Sequence, residues 1–342
     1  MTLFALQVIW FLLIGVLFVG YTILDGFDLG VGIWHLFARK GDERGALIRS
    51  IGPVWDGNEV WLLTAGGALF AAFPHVYATV FSGLYLALML VLFALIFRAV
   101  SIEFRGKIEN PRWRTAWDAA FAIGSILPAL LFGVAVGNIL RGLPMDADKN
   151  FTGSFFGLLN PYALIVGVQG FVLFALHGAL WIALKLDGTL SERAAVWAKR
   201  SWIAFFVLFI VTSLATMITL PGLVANFRNT PVLWLVPLAT FASIIATGVF
   251  LYQGRIAHSF VGSSLTIAGI WGIIGASIFP ALVPALDTPE NTLTIANSSS
   301  SQLTLTVMLI IALIGVPIVL GYTVWVYRVF KGKVAVGEPS GY

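Results

Sequence analysis

The chain has 342 residues, 59% of them hydrophobic and only 11% charged, with a mean hydropathy of +0.95, which excludes a water-soluble globular domain. It contains no cysteine, so disulfide frameworks, iron–sulfur clusters, thiolate zinc sites, covalent c-type haem attachment and cysteine nucleophiles are excluded too. The net charge of +4 says less than its distribution along the chain, and it does not argue for nucleic acid as a partner.

A bilayer core about 30 Å thick is crossed by about 20 apolar residues in a helix. Nine runs of that kind occur, at 5–34, 53–73, 76–98, 116–140, 161–184, 201–222, 231–252, 259–283 and 303–327. The first lacks a basic n-region and a small-residue cleavage site, so it reads as a retained helix and not a signal peptide. All but three of the 20 Lys and Arg fall in alternate connections or at the C-terminal end, the exceptions being Arg141, Lys149 and Arg228. By the positive-inside rule the N-terminus is outside and the C-terminus cytoplasmic. No repeat or linker divides the chain, so residues 1–342 read as one polytopic all-α membrane domain. Asn297 to Gln302 reads as the cap of the ninth helix. Trp10, Trp34, Trp113, Trp117, Trp197, Trp202 and Trp325 lie near span ends and are expected as interfacial anchors.

Charged side chains within a span cost several kcal/mol, so those present are candidates for function. The first span carries Asp25 and Asp28, and the second opens on Asp56 and Glu59, each pair spaced i,i+3 on one helix face. Arg98 ends the third span and Asp118 begins the fourth. Asp25 comes about 20 residues, roughly 30 Å, into a helix that runs inward, so all six groups are expected together at the cytoplasmic face. Acids gathered around one or two arginines in low dielectric bind and pass on protons. The same residues could instead cap helix ends or pair with Arg98 as packing devices.

His35, His75 and His258 lie near interfaces, and His177 alone lies inside a span, where a hydrogen-bonded packing role outweighs a ligand role. No phosphate-cradling glycine motif, HExxH or nucleophile elbow is present.

The run from Gly52 through Trp55-Asp56-Gly57-Asn58-Glu59-Val60-Trp61 to Pro74 resembles subunit II of the cytochrome bd-type quinol oxidases. So do Leu24 to Gly30, Phe104 to Glu109 followed by Arg112-Trp113-Arg114, Phe227 to Trp234, and Ser300 to Leu305. The resemblance implies nine transmembrane helices, as two four-helix bundles plus a peripheral helix, in a bacterial cytoplasmic membrane. It implies a partner, subunit I, that ligates two b haems and haem d and oxidises ubiquinol or menaquinol, with a small single-helix subunit and lipid as further partners. Oxygen is then reduced to water with cytoplasmic protons, which generates a proton motive force without pumping. By the same resemblance Asp56 matches an acid of a proton path and Trp61 lies near an oxygen route. Asp28, Trp55 and Arg98 fall at other positions counted among that family's functional residues. Asp28 and Arg98, with Asp25 added by its place in the inner acidic cluster, are expected to join that path or compensate charge, and Trp55 to belong to the haem environment or oxygen route. Glu59 is not expected to be essential. Two other classes fit a many-helix chain with acids: a secondary transporter, whose acids would sit at the midplane beside broken helices, and a purely structural partner.

Overall fold

The computed structural model describes residues 1–335; the last seven residues of the expected domain, 336–342, lie outside the described residues. Twelve helices occur among the described residues: α1 Leu3–His35, α2 Asp42–Ile51, α3 Trp55–Ala72, α4 Pro74–Gly83, α5 Tyr85–Phe104, α6 Pro111–Arg141, α7 Pro161–Lys185, α8 Gly188–Thr219, α9 Ala225–Asn229, α10 Leu235–Tyr252, α11 Ile256–Ile278 and α12 Gln302–Val329. A two-stranded antiparallel sheet, β1 Ala281–Val283 with β2 Leu293–Thr294, folds over the connection between α11 and α12.

Eight helical segments are long and apolar enough to cross a bilayer: α1, α5, α6, α7, α8, α11, α12 and Pro231–Tyr252, which includes α10. The second expected span, 53–73, corresponds to α3, whose 18 residues include Asp56, Asn58 and Glu59 and fall outside that set. The third expected span, 76–98, is divided at Leu84 into α4 and α5, with hydrogen bonds continuing across the joint from Leu84 to Val80 and from Leu88 to Leu84. Hydropathy missed α2 because it is short and amphipathic, with Ala46, Leu47, Ser50 and Ile51 turned inward and charged residues in its first turn. It also placed the start of the sixth span at 201, whereas α8 begins at Gly188 and carries Glu192, Arg193, Lys199 and Arg200 in its first turns.

The C-terminal half of α1 is the axis of the molecule. Every residue from Asp25 to Ile33 is buried, so no face of the helix there is free. Neighbouring helices approach this closely only where glycine removes the side chain. A Cβ on Gly30 would lie 2.1 Å from the Phe174 carbonyl oxygen of α7, and one on Gly178 would lie 2.2 Å from the Gly30 carbonyl carbon. The helices α3, α6, α7 and α11 pack around α1, while α12 lies against α1 and α3 with Leu305 its only fully buried residue.

Two of the expected interfacial tryptophans lie within the fold. Trp10 is buried and donates to the Leu305 carbonyl at 3.0 Å, tying α1 to α12. Trp34 donates to the Ala175 carbonyl at 2.7 Å and stacks on Trp197 at 4.9 Å between centroids. The expected cap of the last helix is present, with the Ser301 hydroxyl accepting from the Thr304 N–H.

Gly178→Val places branched carbons in the α1 backbone and is expected to abolish recovery of folded protein from membranes. Gly15→Val, where a side chain meets nothing within 4 Å, is expected to leave recovery unchanged. Size-exclusion yield in mild detergent checks both.

Candidate functional site

Arg98 projects from α5 and is fully buried. It reaches the axis because Gly124 of α6 lacks a Cβ, which would otherwise lie 2.9 Å from the Arg98 Cβ. Its guanidinium grips Asp25 with both terminal nitrogens, Nη1 donating to Oδ2 at 2.9 Å and Nη2 to Oδ1. A two-pronged contact of this kind fixes the orientation of both groups. The Glu59 carboxyl of α3 stands 3.9 Å from the same Nη1.

One turn after Asp25, the Asp28 carboxyl is fully buried and accepts at Oδ2 from the Asn58 amide of α3 at 2.8 Å. Asn58 also donates to the Leu24 carbonyl at 3.3 Å and accepts from the Tyr327 hydroxyl of α12 at 2.9 Å. Asp28 Oδ1 and Arg98 Nε have no hydrogen-bond partner among the described residues. One guanidinium therefore faces three carboxyls, Asp25, Asp28 and Glu59, of which it neutralises one. Asp28 is thus a fully buried carboxyl with no cation bonded to it, while Glu59 shares the guanidinium from 3.9 Å and stays partly exposed.

The structure does not gather all six charged groups predicted for this face. Asp118 forms a second node, accepting from Arg44 at 3.0 Å and Arg105 at 2.5 Å and meeting His35 Nε2 at 2.7 Å. Arg44 also donates to the Ala38 and Leu36 carbonyls at 3.3 Å each, closing the end of α1. Two arginines and an imidazole converge on this one carboxylate, so Asp118 is a clamp at the end of the axis. Asp56 is exposed on the outer face of α3, one turn before Glu59. Trp55 is half-buried beside it. Trp61 covers Gly20 of α1, where a Cβ would fall 2.1 Å from the indole Cε3.

Two contributors went unread in the sequence, Asn58 and Tyr327. Asn58 sits between Asp56 and Glu59, and its place on the inward face of α3 was the available signal. Tyr327 lies about 300 residues from Asp28 in the chain, and nothing local marks it.

The profile of the cytochrome bd terminal oxidase subunit II family matches residues 6–330. The chain belongs to that family. It is 40% identical to the cytochrome bd-I ubiquinol oxidase subunit 2 of Escherichia coli strain K12, covering 96% of this chain and 95% of that one. It is 37% identical to the cytochrome bd ubiquinol oxidase subunit 2 of Bacillus subtilis, covering 99% of both. Its fold matches a chain of the bd oxidase structure from Geobacillus thermodenitrificans with a TM-score of 0.80 at 17% identity, covering 95% of this chain and 98% of that one. Subunit II of a bd oxidase is thus a respiratory oxidoreductase component, and a transporter reading has no remaining support.

Removing one partner of a buried pair leaves the other charge stranded, at about 3–5 kcal/mol. Arg98→Gln is accordingly expected to lower the melting temperature of the bd complex, and Arg98→Gln with Asp25→Asn to recover part of the loss. Differential scanning calorimetry of the purified variants measures this.

Proposed function

We propose that this chain is the acid-bearing, non-ligating half of a quinol oxidase in the bacterial cytoplasmic membrane, with nine spans in two four-helix bundles and a peripheral α12. Its N-terminus lies outside. Its partner is subunit I, which holds two b haems and haem d and oxidises the quinol; a small single-helix subunit and lipid complete the assembly. Haem supplies the electron transfer and oxygen chemistry.

His177, the one histidine deep inside a span, has no ring nitrogen free for an axial iron ligand. Both ring nitrogens of His177 are engaged, Nδ1 with the Ser263 hydroxyl at 2.7 Å and Nε2 with the Ile23 carbonyl at 3.0 Å. His35 is bound to Asp118 through Nε2, and its ring packs edge-on against Phe121. His75 and His258 are exposed on the chain surface, with His258 Nε2 2.9 Å from Arg255. Ligation by subunit I is consistent with this.

Reducing one O2 to two waters consumes four electrons and four protons. The observation that supports a proton role for this chain is the gathering of three carboxyls, two of them fully buried, around the single guanidinium of Arg98. In this reading Asp25 stays locked to Arg98, while Asp28 and Glu59 take up and release protons in step with electron arrival in the partner.

Asp56 delivers protons at the boundary with subunit I. It shares the outer stripe of α3 with Val60, Leu63 and Phe70, all exposed in this chain. A carboxylate on such a stripe is costly against lipid, which supports its being covered by protein. Trp55 and Trp61, on the same helix, border the haem environment and the oxygen route.

Asp56→Asn is expected to cut quinol-dependent oxygen consumption about tenfold and to change its pH profile, with haem content per complex preserved. Undiminished turnover with an unchanged profile rejects the role given to Asp56. A purely structural role for the cluster would show itself instead as lost assembly with normal turnover per assembled complex.

A further inference from the structure

A crevice of about 260 Å³ opens where α2 and α7 end and α12 gives way to the C-terminal segment, at the face that carries most of the chain's Lys and Arg. Arg49, Ser50, Lys185, Val329, Phe330 and Lys333 form part of its wall, and among the described residues no Asp or Glu lines it. Three cations therefore reach one cavity from three separate parts of the chain. Lys333 is matched just outside by Asp187, which accepts from its Nζ at 2.6 Å.

Arg49 and Lys185 meet only carbonyls. Arg49 Nη2 donates to the Ala335 carbonyl at 3.2 Å, and Lys185 Nζ donates to the Phe330 and Gly332 carbonyls, while the Val334 N–H returns a bond to the Lys185 carbonyl at 2.8 Å. Such bonds hold the two groups in place without cancelling their charge. Lys185 is half-buried, where an uncompensated ammonium is less well solvated than at the surface. The Nε of Arg49 is buried and has no acceptor among the described residues, which is rare for so strong a donor. Arg328 and Lys331, both exposed, flank the wall residues in the chain and add to the positive field.

Capping explains part of this arrangement, since helix C-termini attract cations and α7 and α12 both end here. It explains neither the orphaned Nε of Arg49 nor the open space that Arg49 and Lys185 share. One water needs roughly 15 Å³ of such space, so the crevice has room for a polyatomic anion with its nearest waters. Guanidinium and ammonium groups together suit phosphate oxygens, and basic pockets between membrane helices take up lipid headgroups.

We propose that the crevice binds a phosphate-bearing anion, the headgroup of an anionic phospholipid or free phosphate, between Arg49 and Lys185. The anion joins α2 and α7 to the segment that follows α12, and so pins the end of a helix whose only fully buried residue is Leu305 at its far end. The site is separate from the acid cluster and is tested by binding, so it does not depend on the role given to those acids.

The test uses the whole bd complex, purified in a neutral detergent and carrying Val329→Cys on the crevice wall; this chain has no other cysteine, and the unsubstituted complex supplies the background. Reaction of the thiol with N-ethylmaleimide is timed alone, with inorganic phosphate, with mixed micelles of phosphatidylglycerol, and with diacylglycerol, which lacks the phosphate. Phosphatidylglycerol is expected to protect the thiol and to leave Thr152→Cys, in the connection between α6 and α7, unprotected. Adding Arg49→Gln is expected to raise the lipid concentration needed about tenfold, and Arg49→Lys, which keeps the charge, to raise it less. Protection by inorganic phosphate as well makes the free anion a sufficient ligand, and protection by the lipid alone assigns the site to a headgroup. Equal protection by diacylglycerol, no protection by either phosphate source, or protection undiminished by both Arg49→Gln and Lys185→Gln overturns the site.

Discussion

The grip of Arg98 on Asp25 is the constraint on which the rest of the structure depends. Both groups are fully buried, Asp25 on the half of α1 that has no free face and Arg98 reaching it from α5, so neither can turn to water to solvate its charge. A pair so placed stabilises the fold only if its geometry is maintained, and each helix that maintains it must pack close. That requirement accounts for Gly124 beneath Arg98, and for the glycine contact of Gly30 with Gly178 that brings α7 against the same stretch of α1. The ion pair is thus a positional lock among α1, α5 and α6, and its guanidinium is the positive charge against which Asp25 and Glu59 are set.

Two polar nodes share α1 and serve different ends. At its last turn, Asp118 is surrounded by Arg44, Arg105 and His35, a balance of charge that favours permanence. Glu43, clamped by Arg193 at 2.9 Å, closes the adjoining turn. Deeper, around Arg98, the balance is reversed, with more acid than base and two polar atoms left without partners. One node sets two arginines on a single carboxylate, the other a single arginine among three carboxyls, and that difference in charge balance is what distinguishes the clamp from the cluster proposed to handle protons.

The sequence revealed the membrane class and most of the spans, because apolar length is a local property that survives without tertiary context. It also marked Asp25, Asp28 and Arg98, since charge inside an apolar run stands out. What it could not show was which acids meet. Asp56 and Asp28 look alike in the sequence, yet α3 turns Asn58 inward and leaves Asp56 on its outer face. Asp118 was grouped with Arg98 because both lie at span ends, whereas side chains from the loop-flanking α2 and the end of α5 capture it instead. Trp10 and Trp34 looked like interface anchors by position and proved to be hydrogen-bonded within the fold. Tyr327 was beyond reach, for its role depends on a helix crossing set by the whole chain.

The central claim is that carboxyls in excess of Arg98 exchange protons as the oxidase turns over. Redox-triggered infrared difference spectroscopy of the two-subunit complex reads this in the carbonyl-stretch region of protonated carboxyl groups. A band there that shifts in deuterated water and is lost or diminished in Asp28→Asn or Glu59→Gln is the result expected. A spectrum in that region identical in both variants and the unsubstituted complex would contradict the account.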